Sequence, residues 1–214
     1  MRPSPGTGPG VAPLRRASAP GWDRLMRVAV VGLMAALVVV FGVSAFGKAR
    51  SRAALRGFTA SLRGWRVVPG PLVAPVAVVV VGLEVTIVAG ALVSLVVPGA
   101  AGRVCAAVTS GLAAVLLAAL SVGIALALRR GPGATCACFG ATERPLTPGH
   151  LVRDVVLATA CAAGVALALA AGDAPAEPAG VAVAVFAGAV AGLLVARLDD
   201  LIDLFSPRPA GRGR

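Results

Sequence analysis

The 214 residues contain no Asn, Gln or Tyr, a single His, and one Lys against nineteen Arg. Charged residues make up 14% of the chain and aromatics 4%, where soluble domains carry about 25% charged residues. So little charge, with 58% hydrophobic residues and a mean hydropathy of +0.91, excludes a water-soluble domain. The missing amides and the preference for Arg over Lys are the bias that high-GC coding produces, which points to a bacterial source. A metal centre needs about four ligands, and only His150 and Cys161 could join the cysteine pair Cys136 and Cys138, so no metal site is expected. No internal repeat is visible, which disfavours a small-solute transporter. The net charge of +11 could suggest a nucleic-acid partner, but that requires a contiguous basic face on a soluble module. No such module exists, and the cations lie between apolar blocks, where they meet lipid headgroups.

What is present is organised in blocks. Residues 1–27 form a Pro-, Gly- and Arg-rich tail with too little to bury and are expected to be disordered. Val28 to Phe46 is uncharged over nineteen residues, enough to cross about 30 Å of hydrocarbon. An alternative reads this block as a signal peptide, with Arg24 and Arg27 as its basic region and Val43-Ser44-Ala45 as its cleavage site. Further spans are expected at about 72–97, 105–128, 155–171 and 179–196, before a polar tail at 197–214. Residues 47–71 hold six cations, and Leu55, Phe58, Leu62 and Trp65 recur there at helical spacing. Two readings stay open for them: a helix lying at the headgroup boundary with its apolar stripe in lipid, or an ordinary basic loop. The spans are rich in Gly and Ala, which let helices approach closely. The expected fold is all-α, a polytopic membrane bundle of about five transmembrane helices.

Two features carry chemistry. Thr135-Cys136-Ala137-Cys138-Phe139-Gly140 places two thiols one residue apart in the loop after the third span. The small ring that such a pair closes is strained and easily reduced, as in catalytic or regulatory disulfides. Arg129, Arg130 and Arg144 lie near in sequence and favour the thiolate. Cys136 and Cys138 are therefore candidate redox residues, with a structural bridge as the competing reading. Cys161, about six residues into the fourth span and roughly 9 Å down at 1.5 Å per residue, is a candidate resolving thiol. Cys105 begins the third span on the other side and is set aside. Glu84 stands near the centre of the second span, where a charge costs about 2.5–3.5 kcal/mol on insertion. It is a candidate proton-transfer or ligand group, or else a protonated side chain sharing a structural hydrogen bond.

Phe41-x-x-Ser44-x-x-Gly47-Lys48, Gly82-Leu83-Glu84 and Cys136-x-Cys138-Phe139-Gly140 together resemble the MauE-type membrane proteins, related to the broader DoxX-like group, over roughly residues 28–171. The resemblance implies a four-helix core with a redox-associated role, in which a thioredoxin-like protein of the periplasm is the partner in maturing disulfide-rich proteins. The span at 179–196 is an addition to that core. Nothing in the residues indicates methylamine as a substrate. No residue pattern indicates a cofactor, and nothing in the sequence supports a quinone.

Sidedness divides the arguments. With the amino terminus inside, the cytoplasmic segments hold 6 Lys and Arg and the opposite segments 14, so the positive-inside rule favours the reverse orientation. Redox compartment and the resemblance favour an extracytoplasmic cysteine loop at a bacterial cytoplasmic membrane, and that placement is the expectation taken forward. The expected function is a membrane component of a thiol–disulfide relay, against a non-catalytic scaffold as the alternative from another class.

Overall fold

A computed structural model describes residues 20–130, 135–136, 144–172 and 177–198. Helix α1 (Pro20–Ala49) leads into a short α2 (Arg52–Gly64), a 3₁₀ turn (Gly70–Leu72) and α3 (Val73–Val96). After α4 (Gly99–Arg129), β1 (Thr135–Cys136) pairs antiparallel with β2 (Arg144–Pro145). Helices α5 (Pro148–Ala170) and α6 (Pro178–Ala196) follow. Among the described residues five helices, all except α2, are long and apolar enough to cross a membrane.

The bundle is inverted relative to a soluble protein. Val78, Val79, Val93 and Val96 on α3, Val108 and Val115 on α4, Val155 and Val156 on α5, and Val183 and Phe186 on α6 point outwards. Lys48, Glu84, Arg153 and Asp154 are buried. An apolar exterior over a partly ionic interior is stable only in a hydrocarbon solvent.

Connectivity fixes two ends. The loop end gathers the C-terminus of α1, all of α2 and the strands β1 and β2, and the far end gathers the start of α1, the α3–α4 turn, the end of α5 and the start of α6. The α3–α4 turn is tight because Gly99 takes a positive φ of 73° and a Cβ at Gly102 would collide with the Val97 carbonyl, so both positions need glycine. Helix α6 runs parallel to α1 and packs on it through Ala184, Gly188, Gly192 and Ala196, all buried. A Cβ at Gly192 would lie 2.7 Å from the Ala36 carbonyl oxygen, so the two backbones touch without side chains between them.

The starts of α1, α4 and α5 and the packing of segment 52–64 differ from the sequence expectations; α4 begins at Gly99 rather than 105. Residues 20–27, expected in the tail, form the first turns of α1; residues 1–19 lie outside the described residues. Because α1 contacts α3, α5 and α6, cleavage after Ala45 would remove a central helix of the bundle. Helix α5 starts at Pro148 rather than 155, with Thr147 before it and proline in its first turn, a favoured helix start. Segment 52–64 is a helix with the expected stripe, but Phe58, Leu62 and Trp65 pack into the protein core rather than into lipid. Ser51 caps this helix, its hydroxyl accepting from the Ala54 amide at 3.0 Å, and Arg52, Arg56 and Arg63 stay exposed. The apolar face finds the open end of the bundle because α1 ends at Ala49 while α3 and α4 continue past it, leaving apolar surface for α2 to cover.

Candidate functional site

The site lies where the end of α1 meets α3 under α2, with α5 also packed against α1. The last turn of α1 places Ser44 and Lys48 four residues apart on one helix face. Lys48 Nζ lies 2.5 Å from Glu84 Oε1 and 2.6 Å from Ser44 Oγ, and Ser44 Oγ donates to the same Oε1 at 2.9 Å. The ion pair is almost sealed, with Lys48 3% and Glu84 2% exposed. The Phe58 ring of α2 closes over the ammonium, 4.8 Å from its centroid, an arrangement the ring's negative face favours.

Glu84 Oε2 is buried and has no hydrogen-bond partner among the described residues. A carboxylate held at one oxygen by an ammonium and a hydroxyl, with the other oxygen bare, presents a lone pair that can accept a hydrogen bond from a proton donor. It equally offers an acceptor to a polar ligand group.

A second polar group sits on the first two turns of α5. His150, Arg153 and Asp154 share one buried face, and Arg153 binds Asp154 Oδ1 through Nε and Nη2, both at 3.2 Å. Helix α5 packs against α1, the helix that carries Lys48. The Thr147 amide donates to His150 Nδ1 at 3.2 Å, so the neutral ring carries its proton on Nε2. Among the described residues no three His, Cys, Asp or Glu side chains form a metal-binding group.

The cysteine segment is at the same end. Cys136 pairs through its backbone with Arg144, and β1 lies against α2. Arg130, at the end of α4, donates to the carbonyl of Arg66 just after α2, which ties the start of the cysteine segment to the end of the covering helix. Cys138 lies outside the described residues. Cys161 is fully buried, and because α5 starts at Pro148 it lies thirteen residues in, roughly 20 Å along the axis instead of the expected 9 Å. Cys105 lies toward the far end of α4, where its thiol donates to the Gly90 carbonyl at 3.3 Å.

Of the sequence candidates, Glu84 is thus buried in the cluster, and the backbone of Cys136 lies against the helix that covers it. The sequence reading quoted Ser44 and Lys48 only as part of a motif, weighed His150 only as a metal ligand, and missed Arg153 and Asp154. Signals for them existed: Lys48 is the only lysine among twenty cations, and His150, Arg153 and Asp154 stand at helical spacing directly before an apolar run.

An exterior of Val and Leu around buried ion pairs, on five helices each able to span a bilayer, defines a multi-pass α-helical membrane protein. Residues 26–169 match the family model described as methylamine utilisation protein MauE. The chain belongs to that family. The match ends before α6, so the fifth spanning helix is an addition to the family unit. No curated protein and no solved structure matches the chain.

Proposed function

We propose that this protein is the membrane component of a thiol–disulfide relay, with Cys136 and Cys138 exchanging with a thioredoxin-like partner and the Lys48–Glu84 cluster handling the accompanying proton. The observation that carries the reading is convergence. Ser44 and Lys48, Glu84, and Cys136 are far apart in sequence, yet the first three side chains form one buried cluster and strand β1, which carries Cys136, lies against the helix that covers it. In the exchange, a partner thiolate attacks one sulfur of the Cys136–Cys138 disulfide and expels the other as thiolate. The second partner thiolate then resolves the mixed disulfide. The partner is oxidised by two electrons, the pair is reduced, and the reverse sequence runs when the partner is the oxidant. The proton taken up when the pair is reduced is assigned to the Lys48–Glu84 cluster at the same end of the bundle. The loop end faces the extracytoplasmic side of a bacterial cytoplasmic membrane, where disulfides persist. Exchange is assigned to Cys136 and Cys138 rather than to Cys161, which lies deep in α5.

Trapping tests this reading. Cys136→Ser and Cys138→Ser are made singly, cells are quenched in acid, and membranes are run without reductant. One variant is expected to carry a higher-mass adduct that collapses on reduction and contains a thioredoxin-like protein. If neither does, and mild reductant leaves the wild-type pair oxidised, the pair is a structural bridge and the protein a scaffold.

A further inference from the structure

Helix α2 turns its apolar face to the bundle and carries charge on the side that faces away. Arg52, Arg56 and Arg63, spaced by four and by seven residues, form one exposed stripe, roughly 16 Å long at 1.5 Å per residue. Among the described residues none of these three side chains has an ion-pair partner. Arg50, Arg129 and Arg130 are exposed at the same end. So is Arg66, which holds a positive φ of 54° just after α2, where glycine is the less strained residue. These seven cations are not balanced. Of the chain's nine acids, Glu84 and Asp154 are paired inside the bundle, and Asp23 and Glu177 stand at the far-end starts of α1 and α6. The other five, Glu143, Asp173, Asp199, Asp200 and Asp203, lie outside the described residues, and all five together would not neutralise seven.

We propose that the arginine stripe of α2 is the docking surface for a water-borne protein that presents a strip of carboxylates beside its own reactive thiol. That this partner is a thiol–disulfide protein rests on the relay reading; its acidic face is argued from charge alone. The planar guanidinium fork matches a carboxylate with two parallel N–H donors, and strand β1, which carries Cys136, lies against the same helix. A protein seated on the stripe is therefore beside the cysteine motif. Lipid headgroups are the other source of anions. A helix held at the headgroup boundary turns apolar side chains to lipid, however, and α2 has no exposed large apolar side chain, its Phe58 and Leu62 being buried in the bundle. Exposed cations outside the cytoplasm also oppose the charge bias that orients membrane proteins, and docking gives them a use there.

The full chain is placed in phosphatidylcholine nanodiscs, and binding of a fluorescein-labelled oligoglutamate peptide is read by anisotropy. The wild type is expected to bind the peptide and to release it as salt is raised. Arg52→Gln/Arg56→Gln/Arg63→Gln is expected to weaken binding about ten-fold with an unchanged unfolding midpoint, since all three side chains are exposed. In cells, the same three arginines are changed to Glu in the cysteine variant that traps the partner. The mixed-disulfide adduct is expected to fall by a similar factor, while N-ethylmaleimide labels the remaining thiol as before. An adduct as abundant as with the arginines intact overturns the docking surface and leaves the relay standing. If no cysteine variant forms an adduct, the relay fails and the peptide decides the docking surface by itself. Peptide binding unchanged by the Gln substitutions overturns it, and native mass spectrometry that then finds phosphatidylglycerol held by the wild type and lost from that variant identifies headgroups as the occupant.

Discussion

At the scale of single residues, the Lys48–Glu84 pair changes what a mutation of Glu84 should do. Read from sequence alone, Glu84 is a lone buried acid, and Gln in its place keeps the shape at little structural cost. With Lys48 Nζ 2.5 Å from Oε1, Glu84→Gln instead leaves an ammonium buried without its counter-charge. Breaking a buried pair from one side costs about 3–5 kcal/mol, whereas replacing both partners by apolar groups is often close to neutral. Glu84→Gln and Lys48→Met are therefore each expected to lower the unfolding midpoint in detergent, and Lys48→Met/Glu84→Leu to restore most of the loss. A double variant as unstable as the sum of the singles would show that the two groups are not coupled. Retention of partner exchange in a restored double variant would remove Glu84 from the relay while leaving the cysteines in place. The reason Lys48 was not legible as a site residue is local: Gly47, Arg50 and Arg52 surround it, so it reads as one more interfacial cation. Its depth is set by where the chain folds back after Ala49, and that is decided by contacts with α3 and α5 that no window of sequence contains.

At the scale of elements, α2 is the part whose role the structure redefines. Its periodicity was readable, since Leu55, Phe58, Leu62 and Trp65 fall on one face, but periodicity does not say whether lipid or protein receives that face. The receiving surface is made by α3 and α4, where Gly123 is so close to the indole of Trp65 that a Cβ there would stand 3.1 Å from its Cζ3. Gly123→Val is expected to push Trp65 out and lift α2, at a cost of about 1–3 kcal/mol typical of overpacking. In a Trp22→Phe background, Trp65 is the only indole, and its emission should move to longer wavelength. Unchanged emission would mean that α2 tolerates the added bulk and is held by other contacts. The start of α5 shows the converse case. Thr147-Pro148 is a readable helix start, yet His150, Arg153 and Asp154 lower the local hydropathy and make the first two turns look like loop. They are tolerated because Arg153 and Asp154 neutralise each other inside the bundle.

At the scale of the whole molecule, the number of spans and the all-α class were legible because hydrophobic length is nearly sufficient to count helices in a membrane. Sidedness was not, because charge bias and redox chemistry pull in opposite directions. The structure alters the weights: Lys48 and Arg153, both counted among the loop-end cations, are buried in ion pairs and are not free to meet headgroups. The far-end cations Arg27 and Arg103 instead converge at a helix end. Membrane-impermeant maleimide added to intact cells after mild reduction is expected to label Cys136 and Cys138 and to leave Cys105 and Cys161 unlabelled. Labelling that requires permeabilised cells would place the loop end inside and remove the extracytoplasmic relay.

The cover that Phe58 places over Lys48 has a chemical consequence of its own. Because Lys48 is the chain's only lysine and is 3% exposed, the folded protein offers amine-directed acylating reagents no side-chain target. A lysine-specific protease likewise meets a single, shielded peptide bond. Acylation or cleavage at residue 48 therefore reports one event alone, the lifting of α2 from the end of the bundle.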